Sequence, residues 1–376
     1  MEQGAARAVN FDCLYFANDK PCVFHKKEKV LCDGCPHYTP KTTKILIIKL
    51  DAVGDVLRTT SILPLLVQAY PGSYIIWISK SDALPLFKNN NYVHQVVEYG
   101  PEAQLLLMTE EFDLAINLDA APSSSRLMSI ARSTKKLGFQ WNSRGFSEPL
   151  HPEADLWFQM GIWDDLKKMN RDTYQDIMMK ICGLEGRPGL PVFILDDDEQ
   201  IFAADFAGKK GFMNNRPIIG LNTGAGRRWR FKKWTLEGYR QLILRLRSLY
   251  PDSAILLYGG PEEVERNREL LKVSKGVVDT GCDNDLRHFG ALVGLCDLLV
   301  TGDTLAMHIG IALRKKVVVL FGPTSANEIE IYGSGSKITP EMPCTCCYLP
   351  DCDVRPTCMD NITVDEVLRE IQDLLG

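Results

Sequence analysis

Residues 297–324, DLLVTGDTLAMHIGIALRKKVVVLFGPT, contain a short apolar run, a polar turn, a helical stretch of small residues and a second apolar run that ends at Gly-Pro. This pattern predicts a strand, a helix from Leu305 to Leu313 and another strand. A helix that begins where a parallel strand ends exposes unpaired backbone N–H groups, which bind phosphate. An ordinary α/β crossover, with Asp303 and Thr304 as caps and His308 half-buried, explains this stretch equally well.

The composition describes a globular protein without a general attraction for nucleic acid. The 376 residues are 45% hydrophobic and 24% charged, which is sufficient for two domains with separate cores. The net charge of −5 provides no basic field, so we expect no nucleic-acid partner. The first residues lack the basic and apolar parts of a secretory signal, and no apolar run reaches the ~18 residues of a membrane span. We therefore expect a cytoplasmic protein.

Two series of alternating strands and helices follow one another along the chain. The first begins with an apolar strand from Lys44 to Leu50 and a helix from Val56 to Ala69, and the second begins with a strand from Pro217 to Leu221. This alternation predicts parallel sheets with helices on both faces. Between the two series, we expect the acidic run from Asp196 to Glu199 to be a solvated linker with a helix N-cap, rather than a metal site.

Asp55 follows the first strand, immediately after Gly54. Open α/β sheets bind ligands at the carboxyl ends of their strands, so this carboxylate is at a position where a ligand could reach it. It could cap the next helix and stabilise the fold by about 1 kcal/mol. It could instead accept a proton from an attacking hydroxyl. Taken alone, the residue pattern favours the cap.

A phosphate site is predicted at the corresponding edge of the second series. Gly224 lies in a loop of small residues after the strand, where glycine lets a ligand approach the backbone closely. Basic residues that include Arg228 follow at once and could neutralise a diphosphate. Glu262 and Glu263 follow a later strand, where a carboxylate could accept hydrogen bonds from ribose hydroxyls or cap a helix.

In this order, the segments resemble glycosyltransferase family 9, which includes the heptosyltransferases that extend bacterial lipopolysaccharide. The resemblance runs from about Lys44 to Leu375. Its strongest parts are the segment from Ile45 to Asp55, the Thr223-Gly-Ala and Lys232-Lys233-Trp234 segment, Asp303-Thr304 with His308, and the segment from Leu320 to Thr324.

The resemblance implies a GT-B fold, in which two Rossmann-like parallel-sheet domains face a central cleft. Asp55 then matches the catalytic base, Lys232 matches a lysine near the donor phosphates, and Glu262 or Glu263 matches the ribose acid. The remaining donor-site positions are Thr223, Asp303, Thr304 and His308. Leu305 stands where the family usually has Gly; its backbone N–H remains available to the donor, but the close approach that Gly permits is lost.

We expect four regions. They are a cysteine-rich segment at 1–43, a Rossmann-like acceptor domain at 44–198, a Rossmann-like nucleotide-sugar domain at 199–340, and a cysteine-rich segment at 341–376 whose terminal helix packs back on the N-terminal domain.

The expected activity is an inverting transfer of a sugar, with heptose from ADP-heptose favoured, to a hydroxyl of a bacterial surface glycan, a lipid-linked acceptor or a protein. Lys232 and the helix that starts after Asp303 would stabilise the leaving diphosphate, so no catalytic divalent metal is expected. Peripheral contact with the inner membrane is also expected. Two alternatives stay open: another GT-B nucleotide-sugar enzyme such as an epimerase, and a metal-binding assembly factor on an inactive transferase fold.

Nine of the twelve cysteines lie near the two ends of the chain. In a reducing compartment such groups indicate metal binding more than disulfides, with zinc, iron or an iron–sulfur cluster as candidates. The expected ligands are Cys13, Cys22, Cys32, Cys35, Cys344, Cys347, Cys352 and Cys358. We expect a structural role for both groups, because neither lies on a predicted cleft loop.

Overall fold

The computed structural model describes residues 7–226 and 230–376, which form two parallel-sheet units around a central cleft. The elements up to the end of the first unit are α1 (Val23–Glu28), β1 (Thr43–Ile48), α2 (Val53–Thr59), α3 (Leu63–Ala69), β2 (Ser73–Ser79), β3 (Gln95–Glu98), α4 (Pro101–Thr109), β4 (Glu111–Asn117), α5 (Pro122–Ile130), β5 (Arg132–Trp141), β6 (Ser147–Pro149), α6 (Asp155–Met160), α7 (Asp164–Met169) and α8 (Tyr174–Cys182).

The second unit begins with a long helix and ends with the helix at the C-terminus. Its elements are α9 (Asp197–Lys210), β7 (Ile218–Asn222), α10 (Leu236–Leu249), β8 (Ala254–Tyr258), α11 (Val264–Leu271), β9 (Val277–Asp279), α12 (Leu286–Val293), β10 (Leu298–Gly302), α13 (Leu305–Ala312), β11 (Lys316–Leu320), β12 (Gly335–Ile338) and α14 (Val364–Leu375).

Each sheet has a point at which the strand order reverses, and these points face the cleft. The first sheet has the order β3-β2-β1-β4-β5-β6 and the second has the order β12-β11-β10-β7-β8-β9. All neighbouring strands are parallel except β5 and β6. The order reverses between β1 and β4, and again between β7 and β10. Ligands of open α/β sheets bind at such points, and the loops after β1, β7 and β10 meet there.

Strands that are covered on both faces need apolar side chains on both faces. Ile45–Ile48 of β1 and Leu298–Val300 of β10 are accordingly fully buried. The two units also share a core: Val56 and Leu57 of α2 belong to the same apolar cluster as Met307 of α13. The helices after the two central strands therefore pack against each other across the cleft.

The helix expected from Val56 to Ala69 is divided into two. A single turn of 3-10 helix, Thr60–Ile62, separates α2 from α3. Pro64 lies in the first turn of α3, and because proline has no backbone N–H it fits the start of a helix better than its interior. The break lets α2 end at the site while α3 continues over the sheet.

The expectation that the terminal helix packs back on the N-terminal domain is wrong. The structure packs α14 on the second unit, against α10 and the strands β11 and β12. The apolar stripe of α14, Val367, Leu368 and Ile371, is buried in the core cluster of that unit. An amphipathic helix packs where its stripe finds a matching apolar surface, which the unit immediately before it supplies.

The acidic run between the two units is only partly as expected. Asp196 does cap α9, since its carboxylate accepts the backbone N–H of Glu199 at 2.9 Å. Glu199, however, is buried rather than solvated and accepts two hydrogen bonds from Arg287 on α12, at 2.8 and 2.6 Å. These bonds outweigh its burial and hold the pKa of Glu199 at about 2. Within the part of the chain that the structure describes, no helix combines the length and apolar character that crossing a bilayer requires.

Candidate active site

Asp55 lies in the first turn of α2 and lines a cavity of about 420 Å³ between the two units. Its carboxylate accepts the backbone N–H of Ala52 at 3.3 Å and a guanidinium N–H of Arg58 at 2.8 Å. The residue therefore caps its own helix and faces the cleft at the same time. The two roles that the sequence left open for Asp55, helix cap and proton acceptor, are therefore compatible.

The charges around Asp55 keep its carboxylate ionised. Burial alone would raise the pKa of Asp55, but the positive charges of Arg58 and Lys49 outweigh it and hold the pKa below its ordinary value. Arg58 is itself buried, and its guanidinium lies 3.7 Å from the centroid of the Tyr174 ring. This stacking fixes the cation against the carboxylate.

A second buried ion pair shapes the turn before α2. Lys49, at the end of β1, pairs with Asp119 after β4 and donates a hydrogen bond to the backbone carbonyl of Asp51. Asp119 also accepts the backbone N–H of Leu50 at 2.6 Å. These contacts hold the carboxyl ends of two adjacent strands together and direct the start of α2 toward the cleft.

Lys232 and Asp303 line the same cavity from the second unit. The Lys232 ammonium donates to the Asp303 carboxylate at 2.7 Å and to the Asp303 backbone carbonyl at 3.3 Å. Burial would raise the pKa of Asp303, but the charge and hydrogen bond of Lys232 lower it to about 2. The Asp303 carboxylate therefore holds the Lys232 ammonium in the wall of the cavity.

His308, on α13, lines this cavity as a neutral ring at ordinary pH. The side chain is buried, and burial lowers its pKa to about 4. The ring also lies against the start of α2, where a Cβ on Gly54 would come within 2.8 Å of its Cδ2 atom. His308 can therefore give a ligand a hydrogen bond but no positive charge at neutral pH.

Side chains hold the start of α13 in place, but none of them caps the first helical turn. Thr304 is the N-cap residue, and its hydroxyl bonds to Asn222 at 3.1 Å and to Thr301 at 3.1 Å rather than to a helical N–H. Thr304 and Leu305 line the Asp55 cavity and a second, neighbouring cavity. The N-terminus of this helix therefore borders both spaces.

The second cavity has a volume of about 680 Å³ and suits a nucleoside. Gly224 lies on one wall, Glu262 on another, and the apolar side chains of Leu286 and Phe289 line a third. A flat base can pack on apolar groups while a carboxylate accepts from ribose hydroxyls. Both acidic candidates line this space, Glu262 as an exposed side chain and Glu263 as a buried one.

Two expected donor-site residues have other roles. The Thr223 hydroxyl is buried and donates to Asn267 at 2.6 Å, so its side chain lines neither cavity. Glu263 is buried, pairs with Lys233 and accepts the backbone N–H of Gly260 at 3.0 Å. Thr223 therefore supports the loop behind the cavity, whereas Glu263 lines the second cavity and these contacts hold its carboxylate in place. Arg228 lies outside the described residues.

Sequence reasoning missed two residues of the cleft, Glu328 and Tyr348. The Tyr348 hydroxyl donates to the Glu328 carboxylate at 2.9 Å and accepts the backbone N–H of Ser325 at 3.2 Å. Both side chains line the Asp55 cavity, and burial raises the pKa of Glu328. No local pattern marks either residue, because their contacts join loops that are distant in sequence.

Tyr348 also corrects the expectation that neither cysteine-rich segment lies on a cleft loop. The backbone N–H groups of Cys346 and Tyr348 donate to the carbonyls of Gly322 and Pro323, at 2.9 and 2.8 Å. Gly322 and Pro323 follow the carboxyl end of β11, which faces the cleft. The C-terminal cysteine-rich segment therefore contributes a side chain to the site.

All twelve cysteines are free thiols. In residues 7–226 and 230–376, no three His, Cys, Asp or Glu side chains come close enough together to hold a single metal ion. The eight expected cysteine ligands thus do not form a single-ion site in the described structure, and metal binding at either end of the chain stays a prediction.

Comparison with known proteins identifies the family of this arrangement. A sequence profile of glycosyltransferase family 9 (heptosyltransferase) matches residues 105–348. Lipopolysaccharide heptosyltransferase 2 of Salmonella typhimurium is 22% identical over 315 residues, which cover 75% of this chain and 83% of that protein.

Solved structures share the fold at low sequence identity. A family 9 glycosyltransferase of Veillonella parvula superposes with a TM-score of 0.73 and 17% identity, covering 89% of this chain and 98% of that chain. The ADP-heptose lipopolysaccharide heptosyltransferase II of E. coli gives a TM-score of 0.65 and 20% identity, covering 88% and 98%. The expected GT-B fold of two Rossmann-like units is confirmed.

The lowered pKa of His308 predicts a specific loss of stability in acid. As the pH falls from about 6.5 to about 4, the unfolded chain takes up a proton on this ring before the folded protein does, so folding stability decreases. The loss reaches about 3 kcal/mol. We expect His308→Gln to flatten this part of the curve, measured as the free energy of unfolding in urea at several pH values. The partly exposed His288 is the control, and a His308→Gln curve as steep as that of His288→Gln would contradict the assignment.

Proposed function

The chain belongs to glycosyltransferase family 9, and we propose that it transfers heptose from ADP-heptose to a hydroxyl of a lipopolysaccharide-type acceptor. The observation that carries the proposal is the shared cavity, in which Asp55 of the first unit faces Lys232 and Thr304 of the second. A base and an anion site on opposite walls are what a transferase needs to join an acceptor to a nucleotide-activated sugar. The Salmonella typhimurium and E. coli proteins named above are lipopolysaccharide heptosyltransferases, which supports this sugar and this acceptor class.

The donor would occupy both cavities. The nucleoside fits the larger space, with Glu262 toward the ribose hydroxyls and the base against Phe289. The diphosphate would then lie at the N-terminus of α13, where Thr304 and Leu305 border both spaces. Lys232, fixed by Asp303, would supply a positive charge beside it.

Transfer would proceed by a single displacement. The acceptor hydroxyl loses its proton to the Asp55 carboxylate, and its oxygen forms a bond to the anomeric carbon from the side opposite the diphosphate. The bond between that carbon and the diphosphate oxygen breaks, and ADP leaves with the electron pair. The configuration at the anomeric carbon is therefore inverted. Lys232 and the α13 N-terminus stabilise the leaving charge, so the step needs no divalent metal, and we expect EDTA-treated protein to retain activity.

The acceptor side would contact a bilayer through α7 and the residues beside it. Trp163 and Met169 are 53% and 60% exposed, and Lys168 between them is also exposed. An aromatic ring beside a basic side chain is typical of a surface that lies in an anionic membrane interface. The Lys167 ammonium lies 4.5 Å from the Tyr348 ring centroid, so this surface borders the Asp55 cavity.

A metal at the C-terminal cysteines would have a structural role. Burial raises the pKa of Cys358 to about 11, and the thiols of Cys347, Cys352 and Cys344 add to this rise because they are near it. To hold one zinc or iron ion, these thiols would have to lose their protons and move closer together than they are in the described structure. Loss of one equivalent of bound metal when all four are replaced by serine would support this assignment, and unchanged metal content would refute it.

Removal of the base tests the mechanism. We expect Asp55→Asn to lower the transfer rate by about 10²–10⁴-fold, because the amide cannot accept the acceptor proton. ADP-heptose binding, measured by calorimetry, should persist because the donor contacts lie on the second unit. Asp51→Asn is the control: this carboxylate lies in the same turn but is exposed and paired with Lys80 at 2.6 Å, so its loss should leave transfer intact.

Three results would contradict the proposal. Transfer by Asp55→Asn at the wild-type rate would remove Asp55 as the base. A product with retained anomeric configuration, determined by NMR, would exclude single displacement. Wild-type protein that binds ADP-heptose but glycosylates neither lipopolysaccharide-type nor protein acceptors would favour the assembly-factor alternative.

Arg58 is expected to set the acid limit of the reaction. Because its charge lowers the pKa of Asp55, Arg58→Gln should raise that pKa and move the acid limb of the kcat/KM profile to higher pH. Arg58→Lys keeps the charge and should move the limb less. A merely structural role for Arg58 would reduce the rate in both variants without shifting the limb.

Vesicle binding tests the membrane surface. We expect wild-type protein to co-sediment with vesicles that contain anionic phospholipid, and the double variant Trp163→Ser, Met169→Ser to bind several-fold more weakly. Leu105 and Met108 on α4 are as exposed, at 61% and 63%, and their replacement by serine is the matched control. Equal loss of binding in the two double variants would argue against a contact at α7.

A further inference from the structure

The four N-terminal cysteines line one cavity of about 280 Å³ that lies entirely within residues 7–38. Three separate pieces of chain bring them there. Cys22 caps α1 with its sulfur, Cys32 and Cys35 lie in one turn, and Cys13 is bridged to Pro40 by backbone hydrogen bonds. Apart from Cys32 and Cys35, these cysteines are 9 to 22 residues apart along the chain, so local geometry alone does not bring them to one cavity and the fold of this segment gathers them.

Residues 7–42 have an ordered backbone but no hydrophobic core. None of their side chains is buried, in contrast to Ile45 and the residues that follow. A chain shorter than about 40 residues cannot bury enough apolar surface to fold by itself and usually needs disulfides or a metal. None of its cysteines is in a disulfide. The remaining way to cross-link this segment is through the cavity that its cysteines share.

The two histidines near this cavity are already committed to holding the segment together. The Nδ1 atom of His25 bonds to the carbonyl of Val30 at 2.8 Å. The Nε2 atom of His37 bonds to the Glu28 carboxylate at 2.8 Å, and its ring stacks on Phe24 with the centroids 3.8 Å apart. Each histidine uses one ring nitrogen in this way, and the four thiols and the second ring nitrogens remain available to a ligand, with aromatic rings around them.

The size and charge of the cavity favour a cluster over a single ion. Its volume equals that of about nine water molecules in the liquid, and its thiols do not converge on one point as a tetrahedral zinc site requires. A four-iron, four-sulfur cube with four thiolate ligands carries a charge of about −2. Residues 7–42 contain six basic and four acidic residues, so their net charge is complementary.

We propose that Cys13, Cys22, Cys32 and Cys35 bind a four-iron, four-sulfur cluster that cross-links the N-terminal segment. The cluster lies at the amino edge of the first sheet: Thr42, just before β1, donates from its backbone N–H to Gly72 at 3.1 Å and from its hydroxyl to Pro71 at 2.6 Å. The six residues of β1 span ~20 Å between this edge and the loop that holds Asp55. The cluster is therefore a structural element and takes no part in sugar transfer.

The test is the iron and acid-labile sulfide content of the full chain purified without oxygen, with Mössbauer spectra of the ⁵⁷Fe-labelled protein. We expect about four iron and about four sulfide per chain at this site, with the spectrum of a four-iron cube. The double variant Cys32→Ser, Cys35→Ser should lose them. The matched control, with Cys344, Cys347, Cys352 and Cys358 replaced by serine, should retain them.

The outcomes do not depend on transfer activity, so they are separate from the test of the proposed function. Stoichiometric zinc without sulfide in the wild-type chain would overturn the proposal, and so would loss of the cluster from the C-terminal control. ADP-heptose binding by the N-terminal variant would show that the rest of the chain has folded. If that variant does not fold, the cluster content of the C-terminal control decides the assignment.

Discussion

The close approach of α2 to α13 at Gly54 determines the geometry of the cleft. A Cβ at this position would lie 2.8 Å from Cδ2 of His308 and 3.8 Å from the α-carbon of Leu305, so the two helices meet where one of them has no side chain. Asp55 is the next residue, and the contact therefore brings its carboxylate to the cavity that the second unit also lines. Any larger residue at 54 would separate the units and move Asp55 away from Lys232. The single glycine at position 54 thus links the packing of the two units to the distance between Asp55 and Lys232.

The charges in the cleft are buried in pairs, and this pairing limits how the site can bind a diphosphate. Arg58 is matched by Asp55, and Lys232 by Asp303. Each pair offsets the cost of burying its members, but it also reduces the charge that either member can offer to a ligand. His308 is neutral. Among the described residues of the cleft, the backbone N–H groups at the start of α13 add positive potential, because Asn222 and Thr301 hold the Thr304 hydroxyl away from them.

The sequence predicts the layout of the fold and the central residues of the site, because both depend on local patterns. Apolar runs mark the strands, and Asp55, Asp303 and His308 follow strand ends in a family order. The errors concern side-chain direction and distant contacts. Thr223 follows a strand as expected, yet loop conformation turns its side chain into the protein, whereas Glu263 lines the second cavity as a buried side chain held by Lys233 and Gly260. Glu328 and Tyr348 could not be recognised, since their roles arise only when the loop after β11 and the C-terminal segment come together, whereas Arg58 lies one helical turn from Asp55 and its pairing with that carboxylate is local.

The two cysteine-rich segments have similar compositions, but their positions in the fold give them different consequences. The N-terminal segment joins the first sheet at the amino ends of its strands, away from the cleft, so a cross-link there stabilises the chain without changing the site. The C-terminal segment joins the second sheet at the carboxyl end of β11. Its backbone bonds to Gly322 and Pro323 position Tyr348, whose hydroxyl holds Glu328 in the wall of the Asp55 cavity. A change in the C-terminal thiols can therefore alter the cleft by moving the Tyr348 side chain. The N-terminal thiols, in contrast, are separated from the cleft by the full length of β1.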